Sequence, residues 1–193
     1  MSLSGGAIAG IVVGSVVVFL LVLYVFVRWH TWRRANRIDP RMPRVAVDPH
    51  EYAGKWYEIA AYPTWFEAGC VNSTARYIPE RNHMKVINRC YRNGHWEESI
   101  GRAHQTDHDG VFAVDFFPGI YGNYTVTYRD RDTAMVTNTD RTTLWILSRH
   151  EEISDAKKNK LLHWLQQHKF DTERLKFTQR INFPDPDDQI RHR

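Results

Sequence analysis

The hydrophobic pattern of this chain changes period once, across Tyr52-Ala53-Gly54-Lys55-Trp56-Tyr57-Glu58-Ile59-Ala60, and that switch restricts the folds open to it. Before it lie a long unbroken apolar run and a basic, Pro-containing segment. After it, apolar and polar positions alternate in short runs, the pattern of half-buried strands. Gly54 accepts backbone angles that other residues resist and suits the start of a strand. Trp56 offers a large apolar plate able to close one end of a β-structure, provided its N–H finds a partner. A lone G-x-W is a weak signal, and the downstream segments give it weight.

Residues 7–27 carry no charge and are mostly apolar. At about 1.5 Å per residue they make roughly 30 Å of helix, enough to span a hydrocarbon core. A cleaved signal peptide would need a basic start, a shorter apolar core and a small-residue cleavage site. Residues 1–6 hold no basic residue and the run ends in Tyr24-Val25-Phe26-Val27-Arg28-Trp29, so a retained transmembrane helix is expected. Gly6, Gly10 and Gly14 recur every fourth residue, a spacing that lets two helices approach and form a homodimer.

Residues 28–50 read as a basic linker with several prolines. Within residues 28–44, Arg28, Arg33, Arg34, Arg37, Arg41 and Arg44 stand against Asp39 alone, whereas the whole chain has a net charge of +4. The folded remainder is therefore near neutral, which argues against nucleic acid as a partner. By the positive-inside rule the same arginines put the barrel on the cytoplasmic side of a single-pass membrane protein.

From Gly54 onward the strand signals fall at residues 54–61, 71–78, 84–92, 96–106, 111–117, 121–128, 133–137 and 143–149. Asn93-Gly94 between the third and fourth is a strong hairpin signal. Ser154 can cap a helix over 155–168 with Leu161, Leu162 and Leu165 as its apolar stripe. A short strand over 175–179 follows, and residues 181–193 read as a disordered tail. The expected fold is all-β: an eight-stranded up-and-down antiparallel barrel over residues 51–180 with one C-terminal helix, preceded by a single transmembrane helix.

Four stretches make the chain resemble a lipocalin, of the branch that holds the bacterial outer-membrane lipocalins and apolipoprotein D. They are Gly54-Lys55-Trp56-Tyr57-Glu58-Ile59-Ala60; Phe66-Glu67-Ala68-Gly69-Cys70 with Thr74-Ala75-Arg76-Tyr77; Phe116 through Tyr124; and Leu144-Trp145-Ile146-Leu147-Ser148-Arg149. The resemblance implies a calyx for lipids or other small apolar molecules, and an Arg149 that packs over Trp56 beside Gly54 at the closed end. It also makes a Cys70–Cys90 bridge plausible. Strand parity by itself sets Cys90 inward and Cys70 outward, a bulge near Gly69 would correct this, and a cytoplasmic location would oppose the bridge.

The apolar parity of each strand selects Glu58, Ala60, Ala75, Tyr77, Val86, Asn88, Phe112, Val114, Phe116, Tyr124, Val126, Trp145 and Leu147 as inward-facing, with Trp65 on a loop at the mouth. Such residues either line a ligand cavity or fill a solid core. Polar Glu58 and Asn88 would need each other, water or a ligand head group. Catalytic, cofactor and metal motifs are missing from the sequence: it holds no H-E-x-x-H, C-x-x-C, G-x-S-x-G or Gly-rich phosphate loop. His104 and His108 read as surface histidines. Asn72-Ser73-Thr74 and Asn123-Tyr124-Thr125 are glycosylation sequons. The reading is a membrane-anchored carrier of a small hydrophobic ligand. The alternatives are a lipid-directed isomerase or oxidoreductase on the same fold, and a tethered interaction module with a filled core.

Overall fold

The structure, a computed structural model, describes residues 5–183, 185 and 186, with side chains from Val12 onward. Helix α1 (Gly5–Ala35) runs unbroken through the apolar stretch and past the first arginines. A single helical turn, α2 (Pro49–Tyr52), leads into the barrel; Asp48 caps it by accepting from His50 N, and Pro49 occupies a position where its missing N–H costs nothing. Eight strands follow: β1 (Gly54–Ala61), β2 (Val71–Pro79), β3 (Met84–Arg92), β4 (His95–Gln105), β5 (Val111–Phe117), β6 (Ile120–Arg129), β7 (Thr133–Thr137) and β8 (Leu144–Ser148). Each pairs antiparallel with the next, and β1 pairs with both β2 and β8, which closes the barrel.

Helix α3 (Asp155–Gln167) is capped by Ser154, which accepts from Lys157 N. Its Leu161 and Leu165 pack with Ile59, Ala60, Met135, Leu144 and Ile146 on the outside of the β7–β8–β1 wall. Strand β9 (Lys176–Phe177) then pairs with the upper part of β1, where β2 has diverged. A second core fills the lower barrel: Trp56, Ala75, Tyr77, Met84, Val86, Ala103, Phe112, Val126, Val136 and Leu147, joined from below by Val47 and Tyr52.

Three sequence expectations change. Ala60 does not face inward: a bulge between Glu58 and Ala60 opposes Glu58 to Leu147 but Ala60 to Ile146, which turns Ala60 out under α3. Residues 28–35 belong to α1 rather than to a linker, and the stretch 36–48 that joins it to α2 is packed on the barrel, with Val45 N donating to Val126 O and Thr127 to Pro43 O. The first residues of the tail are also held: Asn72 accepts from Ile181 N and donates to the carbonyls of Ile181 and Phe183, and buried Asp185 pairs with Lys55. Residues 187–193 lie outside the described residues.

Candidate functional site

The barrel has a built floor. Gly54 has a φ of +96°, a conformation that favours glycine, and a Cβ there would lie 3.3 Å from Arg149 Nη1. Arg149 lies 3.8 Å from the centre of a Trp56 ring and donates from Nη1 to Lys55 O and from Nη2 to Glu51 O, both at 3.0 Å. Trp56 Nε1 donates to Tyr52 O at 2.9 Å, so the buried indole is satisfied. The guanidinium thus plugs the bottom both by its cation–π contact and by tying down two backbone carbonyls.

Three phenols pack with the indole, the Tyr52 ring lying 4.9 Å from those of both Trp56 and Tyr77. Tyr124 Oη lies 2.9 Å from Tyr52 Oη and 2.7 Å from Tyr77 Oη, a chain that satisfies all three buried hydroxyls. Burial pushes the Tyr77 phenol up to about 12 and raises Tyr124 as well, so this layer stays neutral. Tyr52 went unread as an interior residue; the Asp48-Pro49 cap that turns it under the barrel is the signal that could have found it.

Above the phenols the packing thins. Asn88, Val114 and Trp145 are only half-buried, and Ser99, Phe116 and Gly122 are exposed. Phe116 stays on the inward parity and packs over Gly101, whose Cβ would come within 2.8 Å of its ring. Tyr77, Val86, Phe112, Val126 and Leu147 are buried lower down. Trp65 is 88% exposed at the tip of the β1–β2 loop, stacked edge-on with Phe66, and so stands outside the cavity rather than lining it. Neighbouring Tyr62 turns away beneath α3, with Arg174 over its ring.

The polar groups of this upper half come from three elements. Glu58, on the inner face of β1, accepts from Thr178 Oγ1 at 2.5 Å. Glu67 dips from the β1–β2 loop and accepts from Trp145 Nε1 at 3.0 Å and from Thr64 Oγ1 at 2.6 Å. Burial first, and the charge of Glu67 second, push the Glu58 carboxyl up to about 7. Burial raises Glu67 too, against its two donors. Arg92 pairs with Glu97 and donates to Phe66 O and Ala68 O, which pins the loop that carries Glu67. Neither Glu67 nor Thr178 could be assigned from strand parity, because one lies on a loop and the other follows the last strand.

Cys70 and Cys90 are bridged, with Cα atoms 5.4 Å apart. The shift that brings them together lies between Val71 and Thr74, where Asn72 takes a positive φ of 53°. His104 packs against Trp32 and Tyr121 on the outer wall, and among the described residues no cluster of metal-ligating side chains forms. Both sequon asparagines are engaged: Asn72 holds the tail, and Asn123 Nδ2 donates to Ala35 O at 2.6 Å.

Residues 47–180 match the model of the lipocalin-like domain family. The chain belongs to the lipocalin family. The outer membrane lipoprotein Blc of Escherichia coli K12 is 37% identical over 139 residues, which cover 68% of this chain and 78% of that protein. Apolipoprotein D of Oryctolagus cuniculus is 26% identical over 152 residues, 72% of this lipocalin and 79% of the relative. Among solved structures, insecticyanin of the tobacco hornworm Manduca sexta superposes with a TM-score of 0.60 at 19% identity, covering 76% of this chain and 88% of that one. At that identity the likeness speaks for the fold alone. The membership places this lipocalin in the branch of Blc and apolipoprotein D, and family and fold together support binding of a small hydrophobic ligand.

Proposed function

We propose that this lipocalin is a single-pass membrane protein that holds one single-chain lipid in the upper half of its barrel, for lipid transport, storage or membrane maintenance. The carrying observation is the contrast inside the barrel: Trp56, Tyr52 and Tyr77 form a fully buried floor, whereas Val114, Trp145 and Asn88 toward the mouth are only half-buried. An apolar chain entering there displaces poorly held water. At ~0.8 kcal/mol per buried methylene, a 16-carbon chain gains ~10 kcal/mol before ordering costs, enough for micromolar affinity without an ionic contact. The membrane reading rests on residues 12–35 of α1, long and apolar enough to cross a bilayer, of which residues 12–26 are exposed.

The polar lining narrows the head group. Glu58 and Glu67 face this space and repel one another. While protonated, Glu58 can donate to a fatty acid's carboxylate; once ionised it repels it. A lysophospholipid brings no free carboxylate and is indifferent to that change. The test is a titration of residues 36–193 with palmitate and with lysophosphatidylcholine, read by the emission that Trp145→Phe removes. Both ligands are expected to bind at pH 6. With a Glu58 pKa of about 7, palmitate should weaken by up to ~30-fold by pH 8.5 while the lysolipid does not. If no apolar ligand of any length binds below ~100 µM, the cavity is filled and the carrier reading fails.

Two observations bear on sidedness. The arginines after the apolar run favour a cytoplasmic barrel. A second reading, an oxidising compartment, is favoured by the Cys70–Cys90 bridge, since such bonds persist where thiols are not kept reduced.

A further inference from the structure

Helix α1 is fastened along the barrel, and the order of its contacts sets a direction. Tyr24 packs on Gly119 at the β5–β6 turn, where a Cβ would lie 3.1 Å from its hydroxyl. Thr31 Oγ1 lies 3.0 Å from Gly119 O and donates to it. Trp32 meets Tyr121 edge-on at 5.1 Å, and Ala35 O accepts from Asn123 farther down β6. Asn36 Nδ2 then reaches Asp107, in the turn at the closed end, at 3.2 Å. From residue 24 to 36 the chain therefore descends from rim to floor. The apolar part of α1 leaves the barrel on the side of the open mouth.

The rim on that side carries large apolar side chains in water. Trp65 and Phe66 stand on the β1–β2 loop; Phe117, 71% exposed, and Ile120 stand at the β5–β6 turn, across the barrel from it. The two turns flank the mouth. Tyr24 and Thr31 both touch Gly119, three residues before and four residues after Val27, where the apolar run ends, so at ~1.5 Å per residue the level of Gly119 falls within about 6 Å of that end. That is the zone where bulky rings settle between head groups and acyl chains.

We propose that the mouth of the barrel rests on the bilayer that α1 spans, with Trp65, Phe66, Phe117 and Ile120 at the boundary of head groups and acyl chains. A lipid then passes between leaflet and cavity without crossing water. The docking rests on the membrane reading of α1 and is independent of which lipid the cavity holds. The rigid joint between α1 and the β5–β6 turn distinguishes this arrangement from a barrel on a free tether, which would meet the membrane in any orientation.

The experiment is tryptophan quenching of the full chain in phosphatidylcholine vesicles, with and without bromine near the head-group end of the acyl chains. The difference between wild type and Trp65→Phe isolates Trp65. The expected result is loss of that difference signal in brominated vesicles at every protein-to-lipid ratio. Phe117→Trp in the Trp65→Phe chain should restore a quenchable emission from the opposite flank. A Trp65 signal that survives bromination while the remaining emission is quenched overturns the docking and leaves the membrane helix intact. Quenching that fades as protein is diluted in lipid assigns the surface to a second copy and also overturns it. Emission unquenched from every tryptophan overturns the docking and the membrane reading together.

Discussion

Glu58→Gln should stabilise the folded chain above neutral pH and leave it unchanged in acid. The carboxyl sits on the inner face of β1, accepting from Thr178, and burial with the nearby Glu67 charge pushes it from an ordinary 4.5 up to about 7. A carboxyl whose folded pKa exceeds its unfolded value takes up a proton on folding. Its contribution is therefore neutral below the unfolded value and grows unfavourable as pH rises from 4.5 through about 7. At ~1.36 kcal/mol per pH unit, the ceiling is about 3 kcal/mol above pH 7. Glu58 is only half-buried, so part of the group stays solvated, which brings the expected gain to about 1–2 kcal/mol, or ~2–8 °C in Tm. Glutamine keeps the shape and the oxygen that Thr178 needs, so no compensating hydrogen bond is lost. Thermal melts of both chains in one non-ionic detergent, at several pH values from acid to alkaline, give the difference directly. A gap that does not change with pH, or a variant less stable at pH 8.5, would refute the buried-carboxyl argument.

Two further outcomes follow from the same geometry. Arg149→Ala removes the guanidinium from Trp56 and frees the carbonyls of Lys55 and Glu51, so it should destabilise by about 1–3 kcal/mol, read as a lower denaturation midpoint; an unchanged midpoint would dismiss the plug. Sidedness is read by alkylating intact cells before lysis without reductant: a cytoplasmic barrel leaves Cys70 and Cys90 open to alkylation, and a barrel in an oxidising compartment yields both in the bridge. Glycan mapping would not decide this, because the Asn72 and Asn123 amides are committed to Ile181, Phe183 and Ala35 inside the fold.

Much of the architecture is legible because it is written in local periods. Alternation marks each of the eight strands to within a residue or two, Asn93-Gly94 marks a hairpin, and Ser154 marks the start of α3. The interior was legible only where a strand stays regular. Tyr77, Val86, Phe112, Val126 and Leu147 follow parity into the core. Ala60 does not, because one extra residue in β1 reverses every position after it, and no period in the sequence announces a bulge. The reversal between Val71 and Thr74 hid the geometry of the Cys70–Cys90 pair in the same way.

The sequence by itself determined that the chain has one uncharged apolar helix, eight alternating strands and a closing set of Gly54, Trp56 and Arg149, since these depend on neighbours within a few residues or on motifs. Only the tertiary structure decided that Glu67 reaches Trp145, that Thr178 meets Glu58, and that Asp185 pairs with Lys55. It alone decided which way the mouth points relative to α1, through Thr31 on Gly119 and Asn36 on Asp107. Each of these contacts joins residues some seventy or more positions apart. Such pairings arise from the closure of the barrel, which brings the ends of the strands to a common rim, and closure is a property of the whole sheet rather than of any stretch within it.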